Sequence, residues 1–357
     1  MFKFPHLDVT AQLGITPICM VSDSEIWTHL VTPTVKGLLG PIVSQAAPEL
    51  LDTVEGKFPG DEVSNLNDHR LYGGKTGHVR FPYIYSYYKT LNGAFIVKRD
   101  GVKFEAFCWY GDIDRSPELI LKAALRDRRF DGTARANDTS LVEFPYDDPQ
   151  FNTPLHPELK SVELSIYGFM PGSRIVDATG DLEFDRFVAS PFSFLDRPEL
   201  FLTYFNRAWN SKRSPGQFAA PIKDVASHSL PGFERIARAH GYDVIEMAAS
   251  HYHVAKWAQS GGFVFSSSQQ ARTFAAITGA LAAIRAAGHP LNRTQQSWAC
   301  VAQSLPVEQI PAALNMRGPI WMQDNLGQQC LWVHKPLTDK AVQLLSAASQ
   351  TEESPSA

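Results

Sequence analysis

A chain of 357 residues with a formal net charge of -4, 44% hydrophobic and 20% charged residues, lies within the range of ordinary globular proteins and far from disordered or fibrous composition. Its length suits about two domains of roughly 100 to 200 residues each. Its slight acidity gives no long-range pull toward phosphate backbones or anionic lipid, so a nucleic-acid role needs a local basic patch.

Cys19, Cys108, Cys300 and Cys330 are scattered without a close pair, which argues against a disulfide framework and a zinc knuckle and for reduced thiols in a cytoplasmic setting. Met1 to Thr10 contains Lys3, His6 and Asp8 and lacks the apolar core of a secretion signal. No stretch reaches the roughly 18 consecutive apolar residues of a membrane span. The expectation is a soluble chain without membrane insertion.

In chain order, Ser22 and Asp23 open a helix that runs to Leu30 and is bounded by Pro33. Asp52 to Lys75 is rich in Gly, Pro, Asn and Asp and reads as a surface loop. Val79 to Tyr88, Ala94 to Lys98 and Val102 to Tyr110 carry β-branched and aromatic residues, and Arg99-Asp100-Gly101 supplies a tight turn; together they predict an antiparallel meander. Ser116 and Pro117 have the chemistry of a helix start, which predicts a helix from Pro117 to Phe130. Strands follow at Ser161 to Phe169 and Leu182 to Val188.

From about Asp196 the pattern is mainly helical, with helices at Pro198 to Trp209, Pro231 to His240 and Val244 to Gln259. Asp243 and Glu246 form a capping box for the last of these. Ser268 to Ala287 has Phe274, Ile277, Leu281 and Ile284 at helical spacing, with Gly288 and Pro290 as a stop. Its small residues Ala271, Ala275, Gly279, Ala282 and Ala286 predict close approach of another element. Helices near Arg293 to Gln303 and Val307 to Leu314 come next. A hairpin joins Ile320 to Met322 with Cys330 to Val333, and Thr338 caps a final helix. The fold class is therefore α+β: an antiparallel, aromatic-rich sheet domain over 1–194, a mainly helical domain over 195–350 with a terminal hairpin, and a polar tail over 351–357.

Several residue groups carry chemistry. Tyr83, Tyr85 and Tyr87 alternate along one strand and, with Arg80, Lys89, Lys98, Arg99 and Lys103 nearby, form the pairing of rings and cations that binds single-stranded nucleic acid. Their blander role is a half-buried sheet face with wet hydroxyls. Asp112 and Asp114 point to one side of an extended segment and could hold Mg²⁺ or Mn²⁺, with Asp147 or Asp148 completing the site and Lys75 steadying a phosphate; local capping is the alternative. Tyr72-Gly-Gly-Lys-Thr-Gly-His78 falls short of a phosphate loop, because His69 stands where the first glycine is needed. His251 and His253 would share a face on a strand and bind a metal, but the predicted helix turns them apart.

The order of elements after residue 243 resembles a winged-helix module. That resemblance implies that the penultimate helix enters a DNA groove while the hairpin meets the backbone, with Arg293, Gln295, Gln296 and Arg317 as contacts. Two departures stand against it: the helix from Ser268 is nearly twice the usual length, and no basic cluster marks the groove-facing helix. No residue pattern names a cofactor, and the absence of Gly-x-Ser-x-Gly, His-Glu-x-x-His and Cys-x-x-Cys weakens an enzyme reading without closing it. The sequence thus favours a non-enzymatic binding or assembly protein with nucleic acid as ligand. Its competitors are a divalent-metal phosphoryl-transfer or phosphate-hydrolysing enzyme built on Asp112 and Asp114, and a subunit of a larger protein complex.

Overall fold

The computed structural model describes residues 17–40, 48–55, 84–99, 103–111, 118–127, 159–169, 179–211, 213–217, 224–318 and 331–351. After a 3-10 turn at Pro17–Met20, helix α1 covers residues 23–39 as Asp23–Glu25, a π-helical Ile26–Val31 and Thr32–Leu39. Strands β1 (Glu49–Glu55), β2 (Ile84–Thr90), β3 (Gly93–Arg99), β4 (Lys103–Tyr110), β5 (Glu118–Asp127) and β6 (Ser161–Gly168) follow. Then come α2 (Leu182–Ala189), a 3-10 turn at Pro191–Phe194, α3 (Pro198–Trp209), α4 (Val225–Ala239), β7 (Val244–Ala249), α5 (Tyr252–Ser260), β8 (Val264–Phe265), α6 (Ser268–Ala286) and α7 (Arg293–Ala302). Short 3-10 turns at Val307–Gln309 and Ala312–Leu314, strand β9 (Leu331–Pro336) and helix α8 (Asp339–Thr351) complete the described chain. The protein is α+β, with a mostly antiparallel sheet.

The chain divides into two compact units, each assembled from separate segments. One comprises residues 1–145, 155–173 and 222–246, and the other 146–154, 174–221 and 247–357. In the first unit the strand order is β1-β2-β3-β4-β5-β6-β7. The pairs from β1 to β6 are antiparallel, and β6 meets β7 in parallel with Ser161 opposite Val244. The predicted meander is present as β2, β3 and β4. One sheet face carries the apolar residues Phe95, Val97, Phe104, Ala106, Leu121, Ala123, Leu125, Val162 and Leu164, all buried. The Trp27 ring of α1 packs on Phe95 at 5.1 Å between centroids.

Helix α1 begins as its sequence dictates. Ser22 Oγ accepts the Glu25 amide hydrogen at 3.2 Å and Glu25 Oε2 accepts that of Ser22 at 3.0 Å, a reciprocal capping box. It then passes the predicted stop at Pro33 and runs to Leu39. The π-helical register, in which Thr32 N–H donates to the Trp27 carbonyl, already interrupts the i to i−4 ladder where Pro33 has no hydrogen to give.

Helix α4 packs across α1. It starts at Val225, earlier than predicted, and carries Pro231 inside it. At Gly232 an added Cβ would lie 2.3 Å from the His29 carbonyl oxygen and 3.0 Å from Leu30 Cα. Gly232→Ala is therefore expected to push the two helices apart and lower stability by about 1–3 kcal/mol through overpacking, read as a lower urea midpoint at an unchanged m-value.

Three predicted elements change between helix and strand. Pro117 to Phe130, expected as a helix, contains the strand β5: its residues from Leu119 to Asp127 are all buried and it pairs with both β4 and β6. Leu, Ala, Glu, Lys and Arg favour a helix in isolation, but coverage of both faces overrides propensity. Leu182 to Val188, expected as a strand, is helix α2, because Asp181 Oδ1 accepts the Phe184 amide hydrogen at 3.1 Å and Phe184, Phe187 and Val188 fall on one buried face. Val244 to Gln259, expected as one helix, is strand β7 followed by α5. Asp243 does not cap it: its carboxylate accepts the Lys160 amide hydrogen at 3.0 Å and its own amide donates to the Lys160 carbonyl, which sets β7 beside β6.

In the second unit, α2, α3 and α7 enclose an aromatic core centred on Trp298. Its ring stacks on Phe187 at 5.3 Å and meets Phe205 edge-on, and its indole N–H donates to the Arg213 carbonyl at 3.0 Å. Strands β8 and β9 pair antiparallel, Val264 opposite His334. Helix α6 buries Phe274, Ile277, Leu281 and Ile284 as predicted, capped by Ser267. Its small-residue stripe is a correction: Ala275, Gly279, Ala282 and Ala286 are exposed, and nothing lies within 4 Å of a Cβ added at Gly279. Thr338 Oγ1 accepts the Ala341 amide hydrogen at 3.2 Å at the start of α8, as predicted.

The predicted helix Val307 to Leu314 is the two 3-10 turns, separated by Pro311. The order α5-β8-α6-α7-β9 keeps only part of the element sequence of the winged-helix comparison, since the helix expected at Val307 to Leu314 is absent. Helix α7, however, is buried at every position from Ser297 to Ala302, so it serves as a core helix. Residues 319–330, which contain the first arm and turn of the predicted hairpin, lie outside the described residues.

Candidate functional site

The sheet face opposite the apolar one is charged and aromatic. Alternation along β4 places Lys103, Glu105 and Phe107 on it. Register then brings Lys98 of β3 opposite Glu105, Lys122 of β5 opposite Phe107, and Arg126 opposite Lys103. The neighbouring strands add Tyr85 opposite Lys98, Tyr167 opposite Lys122 and Glu163 opposite Arg126.

Glu105 lies at the centre of this face. Its Oε1 is 3.1 Å from Lys122 Nζ, and its Oε2 is 3.4 Å from Lys103 Nζ and 3.7 Å from Lys98 Nζ. Arg126 pairs with Glu163 through Nε at 3.1 Å and also through Nη2. The ammonium groups also lie against rings: Lys98 over Tyr85 at 5.6 Å, and Lys122 over Phe107 at 5.8 Å and over Tyr167 at 5.9 Å. All of these charged groups make further interactions. Lys98, Lys103, Lys122, Glu105 and Arg126 are buried, Lys122 at 1% exposure.

Taking such groups from water costs several kcal/mol per ion, and a well-packed apolar replacement is often as stable. Since the opposite face already supplies an apolar core, fold stability alone gives no reason for this cluster.

The residues predicted from sequence are distributed as follows. Tyr85 is on the face, but it is 1% exposed and covered by Lys98, so the expected wet platform is not found there. Tyr87 is half-buried two residues along. Lys98 is buried beside Glu105, whereas Lys89 is exposed at the end of β2, opposite Glu49 of β1. Arg99, also noted from sequence, turns to the other face, where it pairs with Asp23 and donates from Nε to the Cys19 carbonyl at 3.2 Å. Arg293 and Arg317 are exposed in the second unit, Arg317 with a φ of 50°. Gln295 completes the capping box of α7, its Oε1 accepting the amide hydrogen of the cap residue Asn292 at 3.1 Å, and the Gln296 side-chain amide donates to the Leu291 carbonyl, so both serve local structure.

Tyr83, Arg80, Lys75, Asp112, Asp114, Asp147 and Asp148 lie outside the described residues. Among the described residues no group of three His, Cys, Asp or Glu side chains is placed to hold a metal ion, and no helix is long and apolar enough to cross a membrane.

Sequence reasoning missed Glu105, Lys122, Arg126 and Tyr167. The available signal was a set of charges inside otherwise apolar runs, Lys122 within Ile120 to Ala124 and Glu105 between Phe104 and Ala106. It was concealed for Lys122 and Arg126 by reading their strand as a helix, on which they would form a solvated face.

The second unit contains a separate pair of imidazoles, His251 buried and His253 half-buried. His251 is the extended residue before α5 and His253 is in its first turn; their rings lie parallel, 6.0 Å apart at an interplanar angle of 4°. His253 Nδ1 lies 3.0 Å from Ser297 Oγ of α7, and its amide hydrogen is donated to the same oxygen at 3.2 Å. Burial drives the basicity of both rings down, His253 to about 4, with a further contribution from His253 acting on His251 and from Arg293 acting on His253. Ser297 is fully buried, which denies it the exposure that a nucleophile needs to meet a substrate. Comparison with protein-family models, curated proteins and solved structures returned no match.

Proposed function

We propose that the protein is a non-enzymatic binding protein and that the charged aromatic face of the first unit takes a phosphate-bearing ligand of the nucleic-acid class. One observation carries this reading: Lys98, Lys103, Lys122 and Arg126 share a sheet face with Tyr85, Phe107 and Tyr167. Cations meet phosphate oxygens through charge-assisted hydrogen bonds, and Tyr167, the half-buried ring of the three, offers a face on which one base stacks. Burial of the ammonium groups limits what they can hold to a terminal phosphate or a single nucleotide, since a long strand cannot lie across side chains withdrawn from the surface. Glu105 would keep the cations in register and reduce their mutual repulsion while the site is empty.

The test is fluorescence anisotropy of the full chain with labelled mononucleotides and short single-stranded oligonucleotides. Saturable binding is expected, weakening as salt rises from about 50 to about 200 mM. Lys122→Met or Lys98→Gln should raise Kd about tenfold, the loss expected from one charge-assisted contact. Absence of binding to both probes, or equal affinity in variants shown to be folded by circular dichroism, would overturn the proposal.

A further inference from the structure

The histidine pair of the second unit is closely packed, with His251 buried and His253 half-buried. The His251 ring stacks on Phe192 at 5.6 Å and 18° as well as on His253. Gly216, with a φ of 82°, presses against its edge: a Cβ there would lie 2.6 Å from His251 Cδ2 and 2.8 Å from Nε2, so only glycine both fits that approach and adopts the backbone without strain. His251 is 5% exposed, and its Nδ1 is buried without a hydrogen-bond partner. A proton placed on that nitrogen would have no acceptor.

Among the described residues no carboxylate is positioned to compensate such a charge. Helix α5 packs on α7 and β9, and its Tyr252 ring stacks on Phe274 of α6. The charged or titratable groups on these elements are Arg293 and Cys300 of α7, His334 and Lys335 of β9, Arg272 and Arg285 of α6, and Tyr252 and Lys256 of α5 itself. The turn at Pro191–Phe194 supplies none, and the segment of residues 213–217 supplies Arg213. Arg213 is paired with Asp185, whose carboxylate also accepts from the Thr179 amide and hydroxyl.

We infer that the His251–His253 pair makes the junction of α5 with α7 an acid-sensitive latch, closed while both imidazoles are neutral and released when they take up protons. Protonating His251 sets a buried cation without a counter-ion against the ring of His253, and protonating His253 sets a second positive charge beside Arg293. The junction relieves this by separating the first turn of α5 from Ser297, which brings His251 to solvent and completes the exposure of His253. Each imidazole that gains its proton only in the open form multiplies the opening constant by about ten per pH unit below about 6.5. The pair together gives about a hundredfold per unit until His253 begins to titrate in the closed form.

Hydrogen exchange of the full chain, corrected for intrinsic rate, measures this in the amides of α5 and α7. The wild type should show that steep rise between about pH 6.5 and about pH 5, and a His251→Phe, His253→Asn double variant should lose it. His334 on β9 is read separately, in the amides of β9. An equal rise in the double variant would overturn the latch. If the double variant does not fold, the imidazole C–H resonances of the wild type decide: they should remain at their neutral positions down to about pH 5, and titration of either near 6.5 would overturn the proposal.

Discussion

Glu105→Gln is expected to destabilise the first unit by about 3–5 kcal/mol, the usual consequence of removing one partner from a buried ionic cluster. Glu105 is the carboxylate that the ammonium groups of Lys98, Lys103 and Lys122 all approach, within 3.7 Å. Glutamine keeps the size and removes the charge, so the ammonium groups lose their shared counter-ion while packing is preserved. Urea unfolding at constant pH is the measurement, and a loss of less than about 1 kcal/mol would show that the three ion pairs add little. Lys122→Met should recover part of the loss when combined with Glu105→Gln, because it removes one of the stranded charges; the coupling belongs to a double-mutant cycle.

That result would separate two properties of the same face. If the cluster is replaceable by apolar groups without loss, as buried ionic groups often are, its presence has to be explained by what it binds. The variant with all three lysines and Glu105 exchanged for residues of similar volume should then fold and fail to bind phosphate-bearing probes.

The sequence made one half of the first unit legible and concealed the other for a definite reason. Strands β2, β3 and β4 alternate and are rich in aromatic and β-branched residues, so period and propensity agree. In β5 they disagree: Glu118 to Asp127 reads as a helix by composition, and only its neighbours on both sides make it a strand. The same disagreement hid the candidate site, because Lys122 and Arg126 become inward-facing only once β5 is a strand. Tyr85 shows the limit of pattern reading within a strand placed correctly. Alternation identifies its face, but whether that face is wet depends on what lies over it. Asp243 repeats the lesson, since a capping signature gave way to a pair of hydrogen bonds with Lys160, distant in sequence.

In the second unit the largest expected effect belongs to Trp298→Ala. The indole is fully buried, stacked on Phe187 at 5.3 Å and edge-on to Phe205 at 6.2 Å. Truncation leaves a cavity among Phe187, Phe205 and their neighbours, and it strips the Arg213 carbonyl of the indole hydrogen that it accepts at 3.0 Å. A buried tryptophan truncated to alanine costs about 3–5 kcal/mol, and the orphaned carbonyl adds to that. Trp298→Phe should lie between: it restores much of the ring volume and none of the hydrogen bond. Hydrogen exchange should show protection falling in α2, α3 and α7, where the lost contacts lie. Because α7 also carries Ser297, the same truncation should loosen the contact that holds His253 and shift acid opening of α5 toward neutral pH. An opening profile unchanged in Trp298→Ala would show that the aromatic core and the histidine latch are energetically independent.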